Sequence, residues 1–188
     1  CSRQSGKSTV TAALATWTAL YQPDSLTLLL SPSQRQSQEL FAKVKGFYLS
    51  LGIASPDDSV GALSLRLANG SRVIALPGKE QTIRGFSGVG LLVIDEAARV
   101  DDALYASVRP MLAVSGGRLI ALSTPFGNRG WFYEAWRGEE AWERHKIVAS
   151  QCPRISAEFL EEERRTLGFW WYSQEYECVF QDAIGAAF

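Results

Sequence analysis

The stretch CSRQSGKST, Cys1–Thr9, runs directly into GKSTVTAALATWTALY, whose apolar residues recur at helical spacing. A loop that ends in Gly-Lys-Ser and opens a helix is tightly constrained. Gly6 removes the Cβ that would keep a ligand away from the backbone. The N–H groups of Ser5 to Ser8 lie at the open, partly positive end of the helix, which makes a natural anion site. The spacing fits the phosphate-loop pattern G-x-x-x-x-G-K-[ST] at Gly6, Lys7 and Ser8, with Cys1 standing where the first glycine is expected.

In that pattern Lys7 reaches the β- and γ-phosphates of a nucleotide as a point charge, and the Ser8 hydroxyl is a ligand for Mg²⁺. The nucleotide-contacting stretch is Arg3, Gln4, Ser5, Gly6, Lys7, Ser8 and Thr9. Arg3 has two readings, a solvated loop charge or a second cation that senses the γ-phosphate.

The rest of the chain alternates strands with helices. SLTLLLS, LLVIDEAA and GGRLIALSTP read as buried strands. SPSQRQSQELFAKVKGFYLSLG reads as a helix capped by Ser33 and stopped at Gly52. ALSLRLANGSRVIAL reads as a hairpin with a two-residue Asn69-Gly70 turn. PGKEQTIRGFSGVG has no period and reads as a mobile loop. DDALYASVRPMLAV is a helix capped by Asp101 or Asp102 and kinked by Pro110. RGWFYEAWRG is a short helix and AWERHKIVAS an outer strand, and SAEFLEEERRTLG and WWYSQEYECVF are two helices. This order predicts an α/β fold with a mostly parallel central sheet flanked by helices.

LLVIDEAA adds the chemistry. An apolar strand that ends in Asp95-Glu96 carries two carboxylates with different tasks. Asp95 holds Mg²⁺, a hard cation that favours oxygen ligands and keeps several waters. Glu96 orients and deprotonates an attacking water. ALSTP places Ser123 and Thr124 at the end of the next strand, where a hydroxyl contacts the γ-phosphate or its water. His145 and the Trp131, Phe132, Tyr133 and Trp136 cluster read as structural.

Composition sets bounds on this picture. The formal net charge of −1 gives no global positive field, so any nucleic-acid contact needs a local patch. Three scattered cysteines form neither a disulfide framework nor a zinc site, and a reducing compartment fits them. No apolar run is long enough to span a bilayer.

SRQSGKST, TIRGFSGVGLLVIDEAA, LSTPFGNRGWFYEAW and QEYECVFQDAIGAAF, in this order, resemble the ATPase domain of the large terminase subunits of tailed bacteriophages. The Arg inside the loop, the T-x-R-G run and the STP-x-G run make the match specific. The resemblance implies a P-loop NTPase core over 1–150, a small helical lid over 151–182 and the start of a linker over 183–188. It implies ATP and Mg²⁺ as cofactors and packaging of double-stranded DNA as the work. The implied partners are a portal protein, a small terminase subunit and further copies in a ring, in the host cytoplasm at the procapsid portal.

Arg84 matches a family arginine that reaches a neighbouring subunit's ATP, and Arg3 is the competing candidate, acting within its own subunit. Ser123–Pro125 match the coupling motif. Lys79 and Arg84, on the Gly-rich loop, are candidate contacts to DNA phosphates, with a solvated loop charge the favoured reading of Lys79. The family's adenine-recognising segment and first core strand are expected upstream of Cys1. Its nuclease domain is expected downstream, so no nuclease activity is expected here, and the segment in isolation is expected to fold poorly. The competing readings are a helicase-like DNA-dependent ATPase and a non-catalytic module with a relic loop.

Overall fold

A computed structural model describes residues 1–77, 83 and 85–182. Lys79 and Arg84, with 78–82 of the predicted mobile loop and the predicted linker over 183–188, fall outside those residues. The chain forms two compact units, Ser8–Leu122, and Cys1–Lys7 together with Ser123–Phe188.

The Ser8–Leu122 unit is built on a six-stranded sheet in the order β2-β3-β4-β1-β5-β6. Its strands are β1 (Leu26–Ser31), β2 (Ser59–Val60), β3 (Ser64–Arg66), β4 (Arg72–Pro77), β5 (Leu91–Asp95) and β6 (Arg118–Leu122). β4, β1, β5 and β6 run parallel, while at one edge β3 pairs antiparallel with β4 and β2 antiparallel with β3. β1 and β5 are buried at every residue, as expected for inner parallel strands covered on both faces.

One face of the sheet carries the main core. Ala12, Ala15 and Ala19 of α1 (Lys7–Tyr21) and Leu40, Phe41, Val44 and Tyr48 of α2 (Gln34–Ser50) pack with Leu29, Val73, Ala75, Leu91 and Val93. The three alanines are the part of α1 that this core buries. Leu28, Leu30, Leu92 and Ile94 alternate to the opposite face and are fully buried, each worth roughly 1.5–3 kcal/mol.

α1 has the predicted bounds. Ser33 caps α2 by accepting from the Gln36 N–H, and Gly52 follows the helix at φ 65°. α3 (Asp102–Val108) gives way to a 3₁₀ turn, Arg109–Leu112, at Pro110. Asp101 is its N-cap residue by position, without a side-chain cap bond.

Two expectations in this unit need correction. The hairpin turn has three residues, Ala68-Asn69-Gly70. Leu67 N–H donates to Ser71 O at 2.9 Å and Gly70 N–H to Leu67 O at 3.0 Å. A two-residue turn of the type favoured by Asn-Gly needs positive φ at both residues, and of the two only Gly70 has it, at 87°. β6 is half-buried rather than buried, because it is the outermost described strand on its side of the sheet.

In the other unit, α4 (Trp131–Arg137) presents Phe132, Tyr133 and Trp136 to Phe180, with ring centroids 5.1–6.4 Å apart. That is packing, as predicted. α5 (Ala157–Glu175) is two helical halves meeting at Gly168, whose φ of 73° combined with ψ of 167° suits glycine alone. The predicted outer strand over 141–150 is absent, and its last two residues enter a 3₁₀ turn, Ala149–Gln151. Its groups bond piecemeal instead: Arg144 bridges Ala135 O, Gly138 O, Glu140 O and Trp142 O, and Ile147 O accepts from Ser2 N–H at 2.8 Å. Among the described residues nothing offers this stretch a continuous ladder. His145 is exposed and paired with Glu143 at 2.8 Å.

Candidate active site

Ser8 and Asp95 meet in the Ser8–Leu122 unit. Ser8 lies in the first turn of α1, and Asp95 is the last residue of β5. The Ser8 hydroxyl donates to Asp95 Oδ2 at 3.3 Å, although 87 residues separate them. Asp95 is 8% exposed, and its other oxygen accepts from the Glu96 N–H at 3.0 Å. A hydroxyl and a carboxylate side by side are two hard oxygen donors. Among the described residues no cluster of three or more metal-binding side chains exists, so these two fit a Mg²⁺ that takes its remaining ligands from water and phosphate rather than from an all-protein cage.

Glu96 turns away from its neighbour. It adopts left-handed backbone, φ 51° and ψ 42°, which breaks the strand and re-aims the second carboxylate. Arg99, one helical step on, stands 3.9 Å from Glu96 Oε2. Leu122 lies opposite Asp95 in the parallel register, so β6 ends level with β5. Ser123 and Thr124 follow it directly and are buried at 2% and 3% exposure.

In the other unit, Cys1–Gly6 form a compact loop. Gln4 and Gly6 have positive φ, 58° and 88°. Lys7 Nζ folds back to donate to Cys1 O at 3.2 Å and Ser2 O at 2.8 Å. The N–H groups of Ser5 and Gly6 have no protein acceptor among the described residues. Donors of this kind beside a helix start are what an anion site is built from.

Arg3 is tied down. Its Nε donates to Glu175 Oε2 at 2.7 Å and its backbone N–H donates to Glu175 O at 3.3 Å. Glu175 is only 8% exposed while Arg3 is 63% exposed. The loop's Arg is therefore gripped twice by the last residue of α5. Gln4 O receives Arg154 Nη2 at 3.3 Å and the weak Cys152 Sγ donor at 3.9 Å. The backbone hydrogen bond from the Arg154 segment holds the Cys152 thiol below its ordinary value, against the effect of burial.

The family described as "Terminase large subunit, T4likevirus-type, N-terminal" matches residues 1–188. The chain belongs to this family. It is 27% identical over 196 residues to the terminase large subunit of Escherichia phage T5, covering 100% of this chain and 44% of that protein. It is 27% identical over 159 residues to the terminase large subunit of Thermus phage G20c, covering 72% of this chain and 33% of that protein. The chain thus spans less than half the length of these curated relatives. The Thermus phage P74-26 large terminase ATPase domain superposes with a TM-score of 0.80 at 21% identity, over 96% of this chain and 86% of that one. The large terminase from a thermophilic bacteriophage, in complex with ADP, superposes with a TM-score of 0.78 at 16% identity, over 95% of this chain and 46% of that one. At such identities the likeness shows the fold, that of a P-loop NTPase.

Within this terminase chain the structure joins Ser8 to Asp95 and sets Arg3, Gln4, Ser5, Gly6 and Lys7 in one loop. Thr9 is exposed at the start of α1. Thr124 is buried, and Arg84 lies outside the described residues. Four neighbours of these residues escaped the sequence reading: Glu175, Arg154, Cys152 and Arg99. The first three come from 148–172 residues away, a separation no spacing rule reaches. Arg99 alone had a local signal, its i,i+3 spacing from Glu96.

Proposed function

We propose that this chain is the ATP-hydrolysing motor domain of a large terminase. It would drive double-stranded viral DNA into a procapsid together with a portal protein, a small terminase subunit and further copies of itself. The observation that carries the reading is the contact between the Ser8 hydroxyl and the Asp95 carboxylate, the oxygen pair a Mg²⁺–nucleotide site requires. Family membership supports it, as do the likenesses to the P74-26 ATPase domain and to the ADP-bound terminase.

The roles follow from the groups. The Ser5 and Gly6 N–H groups and Lys7 bind the phosphates. Ser8 and Asp95 hold Mg²⁺, which neutralises phosphate charge when bound. Glu96 orients the attacking water and takes its proton, and Arg99 steadies its carboxylate. Thr124 meets the γ-phosphate end, and Arg3 is the sensor within the subunit, with Arg84 as the candidate that acts across subunits. Residues 151–182 serve as a lid. Because α5 holds Arg3 through Glu175, release of Arg3 toward phosphate would loosen the lid's hold on the loop.

Glu96→Gln in the full-length protein tests this. ATP binding stays within a few-fold of the parent, while single-turnover hydrolysis falls by at least about 10². Normal turnover in this variant would remove Glu96 from the role of base.

A further inference from the structure

Arg154 stands against the phosphate loop, 150 residues from Gln4 in sequence. Its Nη2 donates to Gln4 O at 3.3 Å. A Cβ built on Gly6 would lie 3.2 Å from the same nitrogen, so the guanidinium sits close over the Gly6 α-carbon. Gln4 itself is a non-glycine residue in left-handed backbone, at φ 58°, and such a conformation persists only where its surroundings enforce it. Arg154 lies in a segment that carries its own backbone bonds. Cys152 N–H donates to Ala149 O at 3.0 Å, Ile155 N–H to Cys152 O at 3.0 Å, and Ala149 N–H to Tyr176 O at 2.8 Å. All these residues belong to one compact unit.

The consequence lies in the peptide plane. A trans peptide points its C=O and its N–H in opposite directions. Holding Gln4 O toward Arg154 therefore aims the Ser5 N–H the other way, and that N–H has no protein acceptor among the described residues. We infer that Arg154 is a positioning residue for the phosphate site: its bond to Gln4 O fixes the Gln4–Ser5 peptide so that the Ser5 N–H faces the phosphates of a nucleoside di- or triphosphate. Cys152 adds a weaker bond to the same carbonyl. The inference rests on the nucleotide reading given above.

The test is nucleotide binding by the full-length protein, with ATP and ADP as probes in Mg²⁺, measured by titration calorimetry beside single-turnover hydrolysis at saturation. Arg154→Ala raises the Kd of both nucleotides by about tenfold or more, the usual weight of one hydrogen bond to a charged group. Its saturated hydrolysis rate and its ligand-free melting temperature stay at the parent's. Arg154→Lys recovers most of the affinity, because an ammonium can donate to the same carbonyl. A parental Kd in Arg154→Ala would overturn the inference. So would an unchanged Kd with slowed hydrolysis, which marks a transition-state contact, or an Arg154→Lys variant as weak as Arg154→Ala, which marks a guanidinium bound to phosphate itself. Lys7→Ala separates the two levels. If it loses nucleotide while Arg154→Ala does not, only the role of Arg154 falls. If Lys7→Ala binds as the parent does, the nucleotide reading falls and the inference with it.

Discussion

Asp95 shows how much one side chain is asked to do. It is nearly buried, accepts the Ser8 hydroxyl on one oxygen and caps the Glu96 N–H with the other. Asn at this position keeps the shape and one acceptor but removes the charge that makes a carboxylate a Mg²⁺ ligand. Asp95→Asn should therefore leave the fold intact and raise by about tenfold or more the Mg²⁺ concentration needed for half-maximal hydrolysis. A Mg²⁺ titration of ATPase rate checks this, and a parental midpoint would take Asp95 out of the metal site. Asp95 and Ser8 were legible in the sequence because each sits at a fixed place in a short pattern. Glu175 and Arg154 were not, because their meaning comes only from what folding sets beside them. Glu175 in sequence is one of several acidic residues on a helix. In the structure it is the buried partner of the loop's own arginine.

At the scale of elements, periodicity was enough wherever a segment builds its own geometry. α1 has an uninterrupted helical period and ends where it should, and α2 shows its serine cap and glycine stop. Where geometry depends on a partner, the sequence was silent. The 141–150 stretch has an apolar alternation that suits a strand, but a strand exists only beside another, and its backbone groups bond to scattered partners instead. The hairpin is the middle case: the pair Asn69-Gly70 announced a turn without fixing its length.

That turn yields a stability prediction. Gly70 has φ 87°, and a Cβ there would come within 2.0 Å of Asp24 Oδ1. Gly70→Ala should destabilise the protein by about 1–2 kcal/mol from left-handed backbone alone, with the displacement of Asp24 in addition. Gly70→Asn should recover only part of the loss. Asn tolerates the backbone conformation but carries the same Cβ. Urea unfolding midpoints of the two variants against the parent decide it, and full recovery in Gly70→Asn would mean that the contact with Asp24 costs nothing.

Across the whole molecule, charge is nearly balanced at −1, so pH dependence comes from particular buried groups rather than from overall repulsion. Each compact unit holds a tyrosine bonded to a carboxylate. Tyr48 donates to Asp58 in one, and Tyr176 donates to Glu163 at 2.6 Å in the other. Burial, reinforced by the carboxylate, pushes both tyrosines from 10.0 up to about 12. A proton held more tightly in the folded state stabilises that state fully below the unfolded value. The benefit is lost as pH rises from 10 to about 12.

Asp58 runs the other way. The Tyr48 hydroxyl and the Ser55 N–H hold its carboxyl below the ordinary value, so its contribution is present above the carboxylate range and lost as pH falls through the folded pKa. The double variant Tyr48→Phe, Tyr176→Phe should lose about 1 kcal/mol per hydrogen bond at neutral pH. Its stability should then stay nearly level from pH 10 to 11, where the parent's declines, apart from a smaller slope from Tyr172, which burial also raises. Urea midpoints measured across that interval check the sign. An alkaline decline in the double variant as steep as the parent's would place its origin in groups other than these two tyrosines.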